Sequence, residues 1–267
     1  WRCADLRALD AVALKDLPWL MEVAGAGLAN GLVRYAAQAG LRQGATLELW
    51  LGPGSNGGDG LVAYRHLQER GFNVAVWAPL GLPQAGDGAL ASEQLTASGV
   101  ALEPLEAAFA SVPDLIVDCL FGTGLARPLS GVIEQAVQRA NTSETPVVAC
   151  DIPSGLCGDT GRVVGVAMKA DACVTFGGLK PGFFCADGLD HCGSISLVTL
   201  GYRQDHRDQV PPTAWLDRRS AREFMPSARQ AAHKTRYGGV MVLAGSPGLE
   251  GAALLTLLGA RCGGAGL

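Results

Sequence analysis

Residues 46–78 read TLELWLGPGSNGGDGLVAYRHLQERGFNVAVWA, and the order of residue types along them decides the fold class. TLELWL (46–51) is an apolar, β-prone run that reads as a strand. Residues 52–60 read as a glycine-rich loop, and 61–70 carries helical spacing that stops at Gly71. A second strand follows over 72–78. A strand, loop, helix and strand in this order form a crossover unit, which joins parallel neighbours.

The unit recurs outward along the chain. Residues 115–119 predict a strand opening into Phe121–Gly124, 132–140 a helix, and 147–150 a strand opening into Asp151–Gly155. Two late strands are expected over 172–176 and 195–200. Upstream, apolar residues recur at helical spacing from Leu6 to Ala39, with Pro18 dividing two helices. Such alternation predicts an α/β domain with a mainly parallel sheet and helices on both faces.

A change of character follows. Residues 1–203 hold 13 Lys and Arg against 20 Asp and Glu, while residues 204–267 hold 8 against 5. Residues 204–212 (QDHRDQVPP) are polar and carry prolines, so the linker is expected there, between a first domain over 1–203 and a second unit over 213–267. In that second unit 239–244 (GVMVLA) reads as a strand, 245–251 as a loop and 252 onward as a helix. The acidic larger part argues against a phosphate-neutralising nucleic-acid groove, although it leaves room for a local basic patch. No apolar run reaches the roughly 18 residues of a membrane span, and the eight cysteines form no Cys-x-x-Cys pair. These features predict a chain without membrane or nucleic-acid partners, carrying mostly buried thiols in a reducing, cytoplasmic compartment. Both ends, Trp1 and Leu267, read as cut.

Three loops can carry chemistry. Gly52, Gly54 and Gly57 fit G-x-G-x-x-G after a strand, which suits a phosphate cradle at a helix N-terminus. A dehydrogenase would place an acid near the end of the next strand for the ribose, and VAVWAP has none. An NAD-dependent oxidoreductase is therefore the weaker reading. Asn56 and Asp59 put an amide and a carboxylate into the same loop, where turn formation alone also explains them. Asp118 closes one apolar strand and Asp151 follows another, with Ser154 three residues on. Oxygen groups at neighbouring strand ends suit a hard cation, and a shielded carboxylate there suits a general acid.

Together LMEVAG (20–25), GPGSNGGDGLVAYRHL (52–67), VDCLFGTGLARPLSG (117–131), DIPSG (151–155), DTG (159–161) and TFGGLKPG (175–182) resemble, in that order, the NAD(P)H-hydrate epimerase family. The likeness extends over about residues 4–203. Residues 233–267 resemble the start of an ADP- or ATP-dependent NAD(P)H-hydrate dehydratase, so the pairing matches the bifunctional repair enzymes. The resemblance implies a three-layer αβα, Rossmann-like domain followed by the incomplete start of a ribokinase-like α/β domain. It implies an epimerase interconverting R and S forms of NADHX and NADPHX, hydrated at C6 of the nicotinamide ring. The longer protein would also dehydrate the S form with ADP or ATP and Mg2+; this stretch, lacking the later part of that domain, would not.

Carried over by motif, the substrate contacts are Ser55, Asn56, Gly57, Gly58, Asp59, Gly122, Thr123, Gly124, Leu125, Ala126, Arg127, Pro128 and Asp151. Potassium would be held by Asn56, Asp118 and Ser154. Asp151 is expected as the general acid, with Asp59 as the alternative. Ser55 departs from the Asn usual in the family, which predicts retuned affinity. Lys180 is expected as a surface or substrate-phosphate charge. His233 and Lys234 stand either near the dehydratase site or beside a helix. The resemblance allows a homo-oligomer. It also leaves a rival reading, because some relatives of this domain are non-catalytic scaffolds or binding modules.

Overall fold

The computed structural model describes residues 1–42, 44–100, 102, 112–125, 127–210, 216–224 and 238–265. Six strands, β1 (Thr46–Leu51), β2 (Asn73–Trp77), β3 (Leu115–Cys119), β4 (Val147–Cys150), β5 (Ala172–Phe176) and β6 (Ser194–Val198), form one sheet in the order β2-β1-β3-β4-β5-β6. Every pairing is parallel. The chain leaves β1 toward β2 and then returns to the other side of β1 to lay down β3. That reversal opens a crevice beyond the carboxyl ends of β1 and β3, where open parallel sheets take their ligands.

Helices cover both faces. α1 (Cys3–Ala13), α2 (Leu20–Gln38), α3 (Ser55–Glu69) and α4 (Gly86–Ala97) contribute to one face, where Leu9, Leu28, Leu32 and Leu67 pack on Leu47, Leu49, Leu51, Val117 and Val174. On the other face α5 (Gly131–Thr142) brings Ile133 and Val137 against Trp50, Ile116 and Val147. Period-two alternation assigns Leu49 and Trp50 to opposite faces. The expected α/β class with its mainly parallel sheet is what the chain adopts.

Two packing details position the crevice. Gly25, in the LMEVAG motif, lets α2 press on α3, because a Cβ there would stand 2.4 Å from Val62 Cβ and 2.8 Å from the Asp59 carbonyl. Gly182 likewise permits the 3₁₀ turn Pro181–Phe184 to lie on the Cys157 carbonyl, 2.5 Å from where its Cβ would be.

Three expectations change. The loop after β1 ends at Gly54, since α3 begins at Ser55; its first turn tolerates Asn, Gly and Asp because the first N–H groups of a helix need no partner within it. The segment expected as a linker, 204–212, carries α7 (Gln204–Gln209) after the short α6 (Gly188–His191). α7 is held by His206, which is 1% exposed and reaches Asp16 Oδ2 through Nε2 at 3.2 Å. The first compact unit accordingly runs through Thr213 and the second begins at Ala214. Third, 239–244 forms no strand. Met241 and Leu243 are 85% and 91% exposed, and the ladder partners a strand requires are not among the described residues. The second unit there consists of α8 (Arg218–Phe224) and α9 (Gly251–Cys262), neither with a buried side chain. Among the described residues no helix is long and apolar enough to cross a membrane.

Candidate functional site

Three strand ends converge on the crevice. β1 delivers Asn56 at the start of α3, β3 ends in Asp118, and β4 leads into Asp151 and Ser154. Gly122 sits at their meeting point: a side chain there would begin 3.2 Å from Asn56 Oδ1 and 3.4 Å from Asp151 Oδ2. Without a Cβ at Gly122 the space between those two side chains stays open.

Beneath Gly122 lies a fixed polar knot. The Asp118 carboxylate is fully buried. Its Oδ2 accepts the Ser154 N–H at 2.7 Å, and its Oδ1 accepts the Ser154 hydroxyl at 2.6 Å and the Leu120 N–H at 3.2 Å. Ser154 Oγ in turn accepts the Phe121 N–H at 2.9 Å, tying the loop after β3 to the loop after β4. Burial pushes the Asp118 carboxyl up to about 6, although all three hydrogen bonds pull the other way. No cationic side chain pairs with it among the described residues.

That donor set fits a hard monovalent cation. One uncompensated buried carboxylate, the Ser154 hydroxyl and the Asn56 amide oxygen offer a single negative charge among neutral oxygens. No group of three or more His, Cys, Asp or Glu side chains is placed to hold a metal ion among the described residues. Asn56 is 8% exposed, and its Nδ2 is buried without a hydrogen-bond partner. An orphaned buried donor is rare in a native fold and points to a ligand acceptor.

Asp151 has the left-handed backbone, φ +66°, that a non-glycine residue adopts at a cost of about 1 kcal/mol or more. Its Oδ1 accepts hydrogen bonds from Lys180 Nζ at 2.5 Å and from Thr175 Oγ1 at 3.1 Å. Lys180 is therefore not the surface charge expected from the sequence. It is 2% exposed and its second contact is Thr175 Oγ1 at 2.6 Å. Its one legible signal is composition: LKPGFF carries no other charge, and Phe183 beside it is buried. Asp59, three residues along α3 from Asn56, is nearly buried. Desolvation first, then the negative charges of Asp151 and Asp10, hold its carboxyl well above the usual range, against the opposing pull of Lys180.

The family described as YjeF-related protein N-terminus matches residues 18–182. The chain belongs to that family. Among YjeF-related relatives, a "Bifunctional NAD(P)H-hydrate repair enzyme Nnr" of Thermofilum pendens is 37% identical over 95% of this chain and 49% of its own length. The Leishmania infantum "Bifunctional NAD(P)H-hydrate repair enzyme" is 35% identical over 100% and 49%, and the Escherichia coli one 33% over 82% and 43%. The chain thus spans about half the length of the curated relatives it matches. The crystal structure of yeast ynu0, YNL200c, shares the fold, with a TM-score of 0.62 at 23% identity over 79% of this chain and 93% of that one.

Within the YjeF-related domain the expected contacts fall into groups. Asn56, Gly57, Gly58 and Asp59 are buried in the first turn of α3, whereas Ser55 is exposed at its start. After β3, Gly122 and Thr123 are partly buried, Leu125 packs on the core, Gly124, Arg127 and Pro128 are exposed, and Ala126 lies outside the described residues. His233 and Lys234 lie outside them as well.

Proposed function

We propose that the first unit is an NAD(P)H-hydrate epimerase, interconverting the R and S hydrates of NADH and NADPH. The juxtaposition of Asn56, Gly122 and Asp151 over the buried Asp118–Ser154 knot carries this reading, together with the names of the relatives. A hydrate at C6 of the nicotinamide ring is a carbinolamine. Protonating its hydroxyl releases water and leaves a cation conjugated with the ring nitrogen; water returning to either face, with loss of a proton, gives either epimer. The chemistry asks for carboxylates beside C6 and for polar groups that orient the ring. Asp151 and Asp59 supply the former, and the unpartnered Asn56 Nδ2 supplies a donor for a substrate oxygen. The glycine-rich turn at the N-terminus of α3, with the stretch 122–128, takes the remaining dinucleotide.

Asn56, Asp118 and Ser154 would hold potassium, which when bound adds a fixed positive charge beneath the crevice. The pH dependence follows from Asp118. Its folded value is raised to about 6, so stability from its protonated form is full below the ordinary carboxylate range and is lost as pH rises through 6. The loss is on the order of 3 kcal/mol when nothing compensates the charge. KCl should therefore raise the melting temperature at pH 8 and much less at pH 5, with choline chloride as the ionic-strength control. Equal shifts with both salts would remove potassium from the site.

The same reading makes residues 214–267 the opening of a dehydratase that, in a longer protein, would use ADP or ATP with Mg2+. The decisive experiment supplies the chain with mixed R and S NADHX, an excess of a separate S-specific dehydratase and ATP. Conversion of the R fraction to NADH faster than spontaneous epimerisation is expected. A folded, potassium-supplied chain giving no acceleration would leave the domain as a binding module.

A further inference from the structure

We infer that Lys180 is a positioning residue for this reaction: with Thr175 it fixes Oδ1 of Asp151 so that Oδ2 is presented to the substrate at Gly122. The inference rests on the epimerase reading. A lysine ammonium removed from water is costly unless paired and hydrogen-bonded, and Lys180, at 2% exposure, meets both conditions through two groups: Asp151 Oδ1 at 2.5 Å and Thr175 Oγ1 at 2.6 Å.

Thr175, fully buried on β5, spends its own proton on the same Oδ1 at 3.1 Å. Two donors on separately anchored elements, a sheet strand and the residue leading into the Pro181–Phe184 turn, thus converge on one oxygen. The other oxygen is free to face the crevice, 3.4 Å from where a Gly122 Cβ would stand. Rotation of the carboxylate would break both bonds, and the backbone beneath it is already held at φ +66° with its N–H donated to the Val174 carbonyl at 2.8 Å. Lys180 Nζ also stands 5.9 Å from the centre of the Phe183 ring, a contact that seats the ammonium without orienting the carboxylate. A carboxylate held in one orientation is what proton transfer at a single carbon demands, because small misplacements of a reacting group are costly in rate.

The test uses the coupled assay with kcat and KM measured separately. Lys180→Ala should lower kcat by about 100-fold with little change in KM, and n-propylamine, which replaces the lost stem and ammonium, should restore at least tenfold where n-propanol does not. Thr175→Val, which keeps the shape and removes the hydroxyl, should lower kcat by about tenfold, and Thr175→Ser should recover it. If Lys180→Ala fails to fold, the Thr175 pair decides alone. Wild-type kcat in either Lys180→Ala or Thr175→Val overturns the inference while leaving the epimerase reading intact. An inactive wild-type chain instead removes the reading itself.

Discussion

Asp151→Asn should leave a folded chain whose epimerisation rate falls by about 10²–10⁴-fold, the range spanned by loss of a positioned proton-transfer group. Asn is the informative replacement because it is among the few residues that accept a left-handed backbone without a large penalty, and φ is +66° here. Its amide oxygen can still accept from Lys180 and Thr175, so the clamp survives in outline. The counter-charge for Lys180 is lost, and truncating one member of a buried pair costs roughly 3–5 kcal/mol at the extreme; retaining an acceptor should keep the loss below that. Asp151→Ala would add backbone strain and leave the Lys180 ammonium without its counter-charge and with Thr175 as its remaining acceptor, and would confuse unfolding with chemistry. The measurement is the R-epimer assay on Asp151→Asn and Asp59→Asn side by side, with circular dichroism confirming the fold. A rate within about threefold of wild type for Asp151→Asn, and a deep loss for Asp59→Asn, would move proton transfer to Asp59.

The two carboxylates are not equivalent, and this difference was not legible in the sequence. Asp151 is ion-paired to Lys180, whereas Asp59 has no such partner among the described residues and is pressed by desolvation and two like charges toward its neutral form. Neighbouring carboxylates whose surroundings differ in this way commonly divide the acid and base roles. The sequence names both aspartates but contains no local signal that a lysine 29 residues beyond Asp151 comes back to it.

The strands β1, β3, β4 and β5 were readable to the residue because each is a short, mainly apolar run with a glycine, a proline or an aspartate next to at least one end. Their order was not. It depends on which side of β1 the third strand is added, a long-range choice that creates the crevice. The start of α3 was misread because glycine and asparagine are poor in a helix interior yet suit its first turn. The polar stretch after Arg203 was misread for a related reason: QDHRDQ has a linker's composition, but one buried imidazole and the partly buried Val210 anchor it. Of the candidate residues, Asn56, Asp118, Asp151 and Ser154 are named by their places after neighbouring strands, whereas the contacts that tie Asp118 to Ser154 and bring Asn56 and Asp151 beside Gly122 are long-range and have no local signal.

Gly52→Ala should be among the most damaging single substitutions in the chain. The methyl carbon would stand 1.7 Å from the Leu120 carbonyl oxygen and 2.7 Å from its carbon. Both are backbone atoms of the segment leaving β3, and Gly52 N donates to the Cys119 carbonyl at 3.0 Å. No rotamer change relieves such a clash; β1 and β3 would have to separate at the ends that form the crevice. Gly57 faces the same problem one step along, its would-be Cβ lying 1.9 Å from the Gly52 carbonyl oxygen, so the turn into α3 is stacked backbone on backbone. Ordinary overpacking of a core costs about 1–3 kcal/mol because side chains can yield. Here the obstacle is backbone at the ends of two interior strands, and the expected loss exceeds about 4 kcal/mol, a large part of a domain's total stability. Gly54→Ala is the matched control, with no atom within 4 Å of its Cβ and an extended backbone. Urea denaturation of the three proteins checks the ranking: the midpoint should fall steeply for Gly52→Ala, if that chain folds at all, and change little for Gly54→Ala. Equal midpoints for the two variants would mean that the loops after β1 and β3 part without cost, and the rigid crevice on which the proposed chemistry depends would not exist.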